Sequence, residues 1–229
     1  MNQINRKEEV IRRDNVRIAA SVLNCNFLHL ADELKNVQDA GVDLIHLDVM
    51  DGHFVPNLSF GVPILKAIRP ILKVPIFSHL MVIEPENLIE KFIIESDAII
   101  FHIEASKKPE HCLELINNAN RLAGIALNPD TALETIAPFL NNIYEILIMS
   151  VNPGFGGQGF ISTTIDKVKR AKRLIKDAGK KIVIAVDGGV NTSNACSLID
   201  AGVDILVAGT TIFRSKNYAD TIRLLRCLK

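Results

Sequence analysis

The chain has 229 residues, 48% of them hydrophobic and 23% charged, which suits one large globular domain and excludes a disordered or fibrous protein. Lys+Arg and Asp+Glu balance at 26 each, so no global field draws nucleic acid or an acidic membrane, and an anionic ligand must be held by local geometry. The opening segment MNQINRKEEVIRRDNV lacks the apolar stretch of a secretory signal, and no run approaches the ~20 apolar residues of a membrane helix.

A cytoplasmic protein is therefore expected, with residues 1–16 as an N-terminal extension (a surface helix or arm) and 17–229 as one catalytic domain. Short apolar, β-branched runs then alternate with longer segments of helical spacing. In chain order, strands are expected at Arg17–Leu23, Leu44–Val49, Val74–Met81, Ala98–Ile103, Gly124–Leu127, Glu145–Val151, Lys181–Val186 and Ile205–Ala208. Helical spacing marks Asn87–Ile94, His111–Leu122, Ile161–Ala178 and Thr192–Ala201 among the segments between them. Near-continuous apolar strands suit a parallel sheet covered on both faces. Eight such units in a chain of this length suggest a closed (β/α)8 barrel. A doubly wound open sheet is the alternative; against it, no GxGxxG follows the first strand and no GxxxxGK[ST] occurs. Ala40-Gly41-Val42-Asp43 recurs as Ala201-Gly202-Val203-Asp204, each time where a helix ends and a strand begins. The four cysteines, Cys25, Cys112, Cys196 and Cys227, show no CxxC or zinc-finger spacing and read as buried free thiols in a reducing compartment.

Barrel enzymes place their chemistry at the C-terminal ends of strands. In Ile45-His46-Leu47-Asp48-Val49-Met50, alternation sends His46, Asp48 and Met50 to one face and Leu47 and Val49 to the other. Residues two apart on a strand are ~7 Å apart, so His46 and Asp48 can reach one ion. His79 and Met81 share a face one strand later, and Asp187 ends the seventh strand ahead of Gly188-Gly189, where a turn or helix-capping role is the alternative. Two imidazoles and two carboxylates suit Zn²⁺, Mn²⁺ or Fe²⁺ with positions left open for substrate. The loop Asn152-Pro153-Gly154-Phe155-Gly156-Gly157-Gln158-Gly159 can bring backbone amides close to a ligand. With Gly188-Gly189 and Gly209-Thr210-Thr211 after the seventh and eighth strands, it favours a phosphate monoester. The internal methionines, Met50, Met81 and Met149, all fall at strand ends, either as plain core or as a water-excluding collar over a reacting carbon.

The stretches LDVMDGHFVPN (Leu47–Asn57), HLMV (His79–Val82), MSVNPGFGGQGF (Met149–Phe160), VDGGV (Val186–Val190) and VAGTTIF (Val207–Phe213) make the chain similar to the ribulose-phosphate 3-epimerase family, from about Arg17 to Lys229. The resemblance implies an isomerase of the pentose phosphate pathway, with His46, Asp48, His79 and Asp187 as ligands of one divalent ion and Asp48 and Asp187 as the acid/base pair. It also implies that Ser21, with the metal site, contacts the sugar, and that the backbone at Gly154, Phe155, Gly156, Gly157, Gly188, Gly189, Gly209 and Thr210 takes the phosphate. Three positions depart from the family pattern: Ala20 replaces the proline of IAPS, Thr210 follows VAG, and Phe77-Ser78 precede HLMV. The expected partner is a small sugar phosphate, with neither nucleic acid nor membrane, and a homo-oligomer is expected. A 3-epimerase of a related ketose phosphate such as D-allulose 6-phosphate is the nearest alternative. From other classes, a barrel aldolase often needs a Schiff-base lysine at a strand end, and none is offered. A plain phosphate-binding protein has no use for four metal-type ligands.

Overall fold

A computed structural model describes residues 15–228, so residues 1–14 of the expected N-terminal extension lie outside the described residues. The strands β1 (Arg17–Ser21), β2 (Leu44–Met50), β3 (Ile76–Met81), β4 (Ala98–His102), β5 (Leu122–Leu127), β6 (Glu145–Met149), β7 (Val183–Asp187) and β8 (Ile205–Ala208) run parallel in sequence order. Pairing of β8 with β1 closes the barrel, which removes the open-sheet alternative. Outside it lie α1 (Leu30–Asp39), α2 (Val62–Ile68), α3 (Ile89–Ile93), α4 (Pro109–Asn118), α5 (Thr164–Asp177), α6 (Ala195–Ala201), α7 (Thr210–Phe213) and α8 (Tyr218–Leu225). Between β5 and β6 the connection is a 3-10 helix, Leu133–Phe139, where Pro138 has no amide proton for an α-helical bond. Among the described residues, no helix is long and apolar enough to cross a membrane.

Strand alternation divides the apolar residues into two cores. Outward residues such as Ile45, Leu47, Ile99, Phe101 and Ile184 pack with Leu34, Leu65, Cys112 and Val168 of the helices. Inward residues such as Ala19, Phe77, Ile100, Leu147 and Ala185 fill the barrel. Both sides of each strand are thus covered, which is why the strands read as apolar runs.

The repeated Ala-Gly-Val-Asp has a structural use. Gly41 and Gly202 take positive φ, 94° and 109°, as the chain leaves α1 and α6. Each Asp then accepts from a backbone N–H at the start of the neighbouring strand: Asp43 from Ile18 at 2.8 Å and Asp204 from Ile184 at 2.9 Å. Asp97 does the same for Ile76 at 2.8 Å without the preceding Ala-Gly-Val. The device satisfies amides that the staggered barrel edge leaves beyond the ladder.

Three expectations are corrected. Helix His111–Leu122 stops at Asn118, because the chain turns through Asn120 at φ 57° and delivers Leu122 to β5. The first and sixth strands end early: Val22–Asn24 form a 3-10 turn, and Ser150 turns aside to donate to the carbonyls of Asp187 (2.9 Å) and Gly188 (2.5 Å). Of the four thiols, Cys25 and Cys112 are free and buried, whereas Cys196 and Cys227 form a disulfide. The partners are 31 residues apart, a pairing that sequence spacing does not reveal, and cysteine usage no longer supports a reducing compartment.

Glu145 opens β6 and is almost fully buried, with Oε2 making no hydrogen bond. Burial lifts its carboxyl to about 7, although the charges of His46 and Arg17 pull the other way. The folded state therefore binds a proton that the unfolded chain has released, and Glu145 costs stability progressively as pH rises from 4.5 to about 7. Urea unfolding across this range should show Glu145→Gln gaining on the parent by at most about 1.4 kcal/mol per pH unit, then levelling off. A difference independent of pH would contradict a neutral buried carboxyl.

Candidate active site

Strand register assembles the centre. Asp48 on β2 lies beside His79 on β3, Met50 beside Met81, and Ser21 on β1 beside His46. Asp187, at the end of β7, reaches the same level from across the barrel, beside Met149 of β6. His46 Nε2 is 3.2 Å from His79 Nδ1, 3.3 Å from Asp48 Oδ1 and 3.6 Å from Asp187 Oδ2. His79 Nδ1 is 3.4 Å from Asp48 Oδ1 and 3.8 Å from Asp187 Oδ2, and the four donor atoms all lie within 4.8 Å of one another. Metal–ligand bonds of about 2.1 Å put neighbouring donors ~3.0 Å apart in an octahedral site and ~3.4 Å apart in a tetrahedral one. The observed spacings match, so this cluster can hold a divalent ion.

Its electrostatics agree. Burial disfavours a charged His46, yet the Asp48 and Asp187 carboxylates raise it to about 9, so the cluster attracts positive charge. Burial pushes His79 down to about 3, with the charges of His102 and His46 adding to it, and leaves this imidazole neutral, as a ligand must be. The two carboxyls are driven apart. Burial, with the Asp48 charge, lifts Asp187 to about 7. Burial also opposes ionisation of Asp48, but the charge of His46 and its hydrogen bond outweigh it and hold Asp48 well below the carboxylate range. Ser21 Oγ donates to Asp48 Oδ2 at 2.7 Å.

Above the cluster opens a cleft of about 190 Å³. Ser21, Asp48, Asp187 and all three internal methionines line it, as do the loops at Gly154–Gly157, Gly188–Gly189 and Gly209–Thr211. Each residue expected to act on the proton, the sugar or the phosphate therefore lines this mouth, except His46 and His79, which are buried and do not line the cleft. Met50 and Met81 pack with Val55, and Met149 with Val151. Of the departures from the family pattern, Ala20 is buried in the outer core and Ser78 faces outward to bond Ser96 Oγ at 2.7 Å. Phe77 is buried in the inner core, and Thr210 alone of these positions lines the cleft.

Sequence reading missed several supports. Asn24 accepts from Thr210 Oγ1 at 2.9 Å and occupies the space that a side chain at Gly156 would need, so it ties the first strand's loop to two phosphate-type loops. Asn57 Nδ2 donates to Gly154 O at 2.9 Å, and Asp51 accepts from the backbone of His53, Phe54 and Ile83. These are short-range turn residues whose distant partners no spacing announces. His102 and Glu104 were also missed, although Phe101-His102-Ile103-Glu104 repeats the apolar-His-apolar-acid order of Ile45–Asp48 at the end of β4.

The chain is similar to known proteins along most of its length. Residues 17–213 match the model of the family described as "Ribulose-phosphate 3 epimerase family". The chain is 39% identical to a ribulose-phosphate 3-epimerase of Bacillus subtilis over 92% of its own length and 98% of that protein's. It is 42% identical to one of Helicobacter pylori, with 88% and 93% covered. Among solved structures, 3-keto-L-gulonate-6-phosphate decarboxylase from Vibrio cholerae superposes with a TM-score of 0.72 over 93% of this chain and 96% of that one, at 14% identity, a likeness of fold alone. With its closed barrel, its four-donor cluster and this extent of similarity, the chain is an epimerase that belongs to the ribulose-phosphate 3-epimerase family.

Proposed function

We propose that the enzyme inverts C3 between D-ribulose 5-phosphate and D-xylulose 5-phosphate through an enediolate, with Asp48 and Asp187 as acid and base. In this reading His46, Asp48, His79 and Asp187 hold one divalent ion, Zn²⁺, Fe²⁺ or Mn²⁺. The observation that carries it is the pair of carboxyls, from β2 and β7, lining one cleft with their proton affinities displaced in opposite directions. Inversion needs a proton removed from one face of a carbon and another delivered to the opposite face. An ionised Asp48 and an Asp187 that can carry a proton near neutral pH supply one base and one acid, and the roles exchange in the reverse direction. A bound divalent ion supplies Lewis-acid stabilisation of the developing enediolate, worth several kcal/mol.

The remaining residues orient and shield. Ser21, hydrogen-bonded to Asp48, lies where it can meet the sugar. Met50, Met81 and Met149 form an apolar wall that keeps water from the carbanion-like carbon. The backbone at Gly154–Gly157, Gly188–Gly189 and Gly209–Thr210 receives the phosphate in a protein whose net charge of zero supplies no other attraction. None of the eight strands ends in lysine, which disfavours Schiff-base chemistry.

Coupled turnover of D-ribulose 5-phosphate, with D-allulose 6-phosphate as comparator, tests the reading. Activity should fall below about 1% when a chelator strips the ion and return on adding back Zn²⁺, Fe²⁺ or Mn²⁺, consistent with several kcal/mol of stabilisation. Full activity in protein shown to be metal-free would overturn the metal assignment.

A further inference from the structure

His79 has two ring nitrogens with different surroundings. Nδ1 faces His46, Asp48 and Asp187, and Nε2 lies 2.9 Å from Nε2 of His102. One proton can occupy the line between two Nε2 atoms, so one imidazole donates and the other accepts. His102 is completely buried, and its Nδ1 is 3.2 Å from Glu104 Oε2. The other oxygen of Glu104, Oε1, accepts from the backbone N–H of Asn128 at 2.8 Å and from the Thr131 hydroxyl.

We infer that Glu104 and His102 are positioning residues that set the tautomer of His79, so that its Nδ1 lone pair faces the metal cluster. The Asn128 amide, a donor that cannot reverse, fixes Oε1 as an acceptor, and ionisation of Glu104 makes Oε2 an acceptor too. An ionised Glu104 accepts on both oxygens, which requires a proton on His102 Nδ1. His102 then accepts at Nε2, His79 donates to it from its own Nε2, and His79 Nδ1 is left unprotonated. Burial opposes ionisation of Glu104, but hydrogen bonds from His102 and Thr131 prevail and hold it down to about 2. A carboxylate that orients a ligating imidazole is a known device for raising metal affinity; here two imidazoles in series carry it from β4 to β3.

Glu104→Gln reverses the chain with almost no change of shape. The amide oxygen must still face the Asn128 N–H, so the NH₂ faces His102 Nδ1 and needs a lone pair there. His102 then donates from Nε2, and His79 carries its proton on Nδ1, against the cluster. This inference rests on the metal reading above, and two measurements separate their failures. Side-chain ¹⁵N NMR of the metal-free enzyme should find His79 protonated at Nε2 and His102 at Nδ1 in the parent chain, with both reversed in Glu104→Gln. Competition with a chromophoric chelator should show Zn²⁺ bound about 10- to 100-fold more weakly by the variant. Activity lost at limiting Zn²⁺ should return at saturation, which a damaged fold would not allow. A proton on Nδ1 of His79 in the parent, or unchanged tautomers and affinity in the variant, would overturn the inference. A parent chain that binds no Zn²⁺ would remove the metal reading instead, and the NMR measurement would still decide the tautomer.

Discussion

Asp187→Asn should lower the turnover of ribulose 5-phosphate by about 10³-fold or more, a barrier increase of ~4 kcal/mol. The amide has the shape of the carboxyl but can neither take nor give the proton that Asp187, lifted to about 7, is poised to exchange. Asp48→Asn should lose as much, and it also deprives His46 and His79 of the charge that now faces them and Ser21 of its acceptor. In the proposed mechanism the two acids serve opposite faces of one carbon, so their variants should differ in a second readout. In deuterated water each metal-loaded variant should keep exchange at C3 for one epimer only, through its surviving carboxyl, and the two variants should spare opposite epimers. Near-parent turnover in either, at unchanged metal content, would remove the two-carboxylate mechanism.

Gly189→Ala should impair both binding and folding. Gly189 sits at φ 63°, and a Cβ there would lie 2.7 Å from Phe160 N, 2.9 Å from its Cα and 3.0 Å from Gln158 O. All three are backbone atoms of the glycine loop after β6, so no side-chain rotation relieves the contact and the two loops have to part. The expected result is a loss of about 1–3 kcal/mol in unfolding free energy, in the range of strained-backbone substitutions. KM for the sugar phosphate should rise by tenfold or more while the affinity for Zn²⁺ stays put, since no ligand of the cluster moves. An unchanged KM would show that these amides do not receive the phosphate. The comparison with Asp187→Asn is informative because the two residues are two positions apart: one should act on kcat, the other on KM.

Much of this protein was legible before any coordinates. Alternation along Ile45–Met50 assigned His46 and Asp48 to the inner face, because a strand's side chains must alternate and only the apolar set can face the helices. The eight-unit rhythm announced the barrel, and the glycine runs after the sixth, seventh and eighth strands announced the mouth. What sequence could not specify was every contact made between strands or across the barrel. The register that sets Asp48 beside His79, the closure that brings Asp187 to within 3.6 Å of His46, and the 2.9 Å approach of His102 to His79 are properties of stagger and closure, which depend on all eight strands at once. The same holds for Asn24 on Thr210 and for the Cys196–Cys227 bond, whose partners stand 186 and 31 residues apart. Local chemistry named the candidate donors; only the closed barrel, by converging separate strand ends on one point, decided which of them meet.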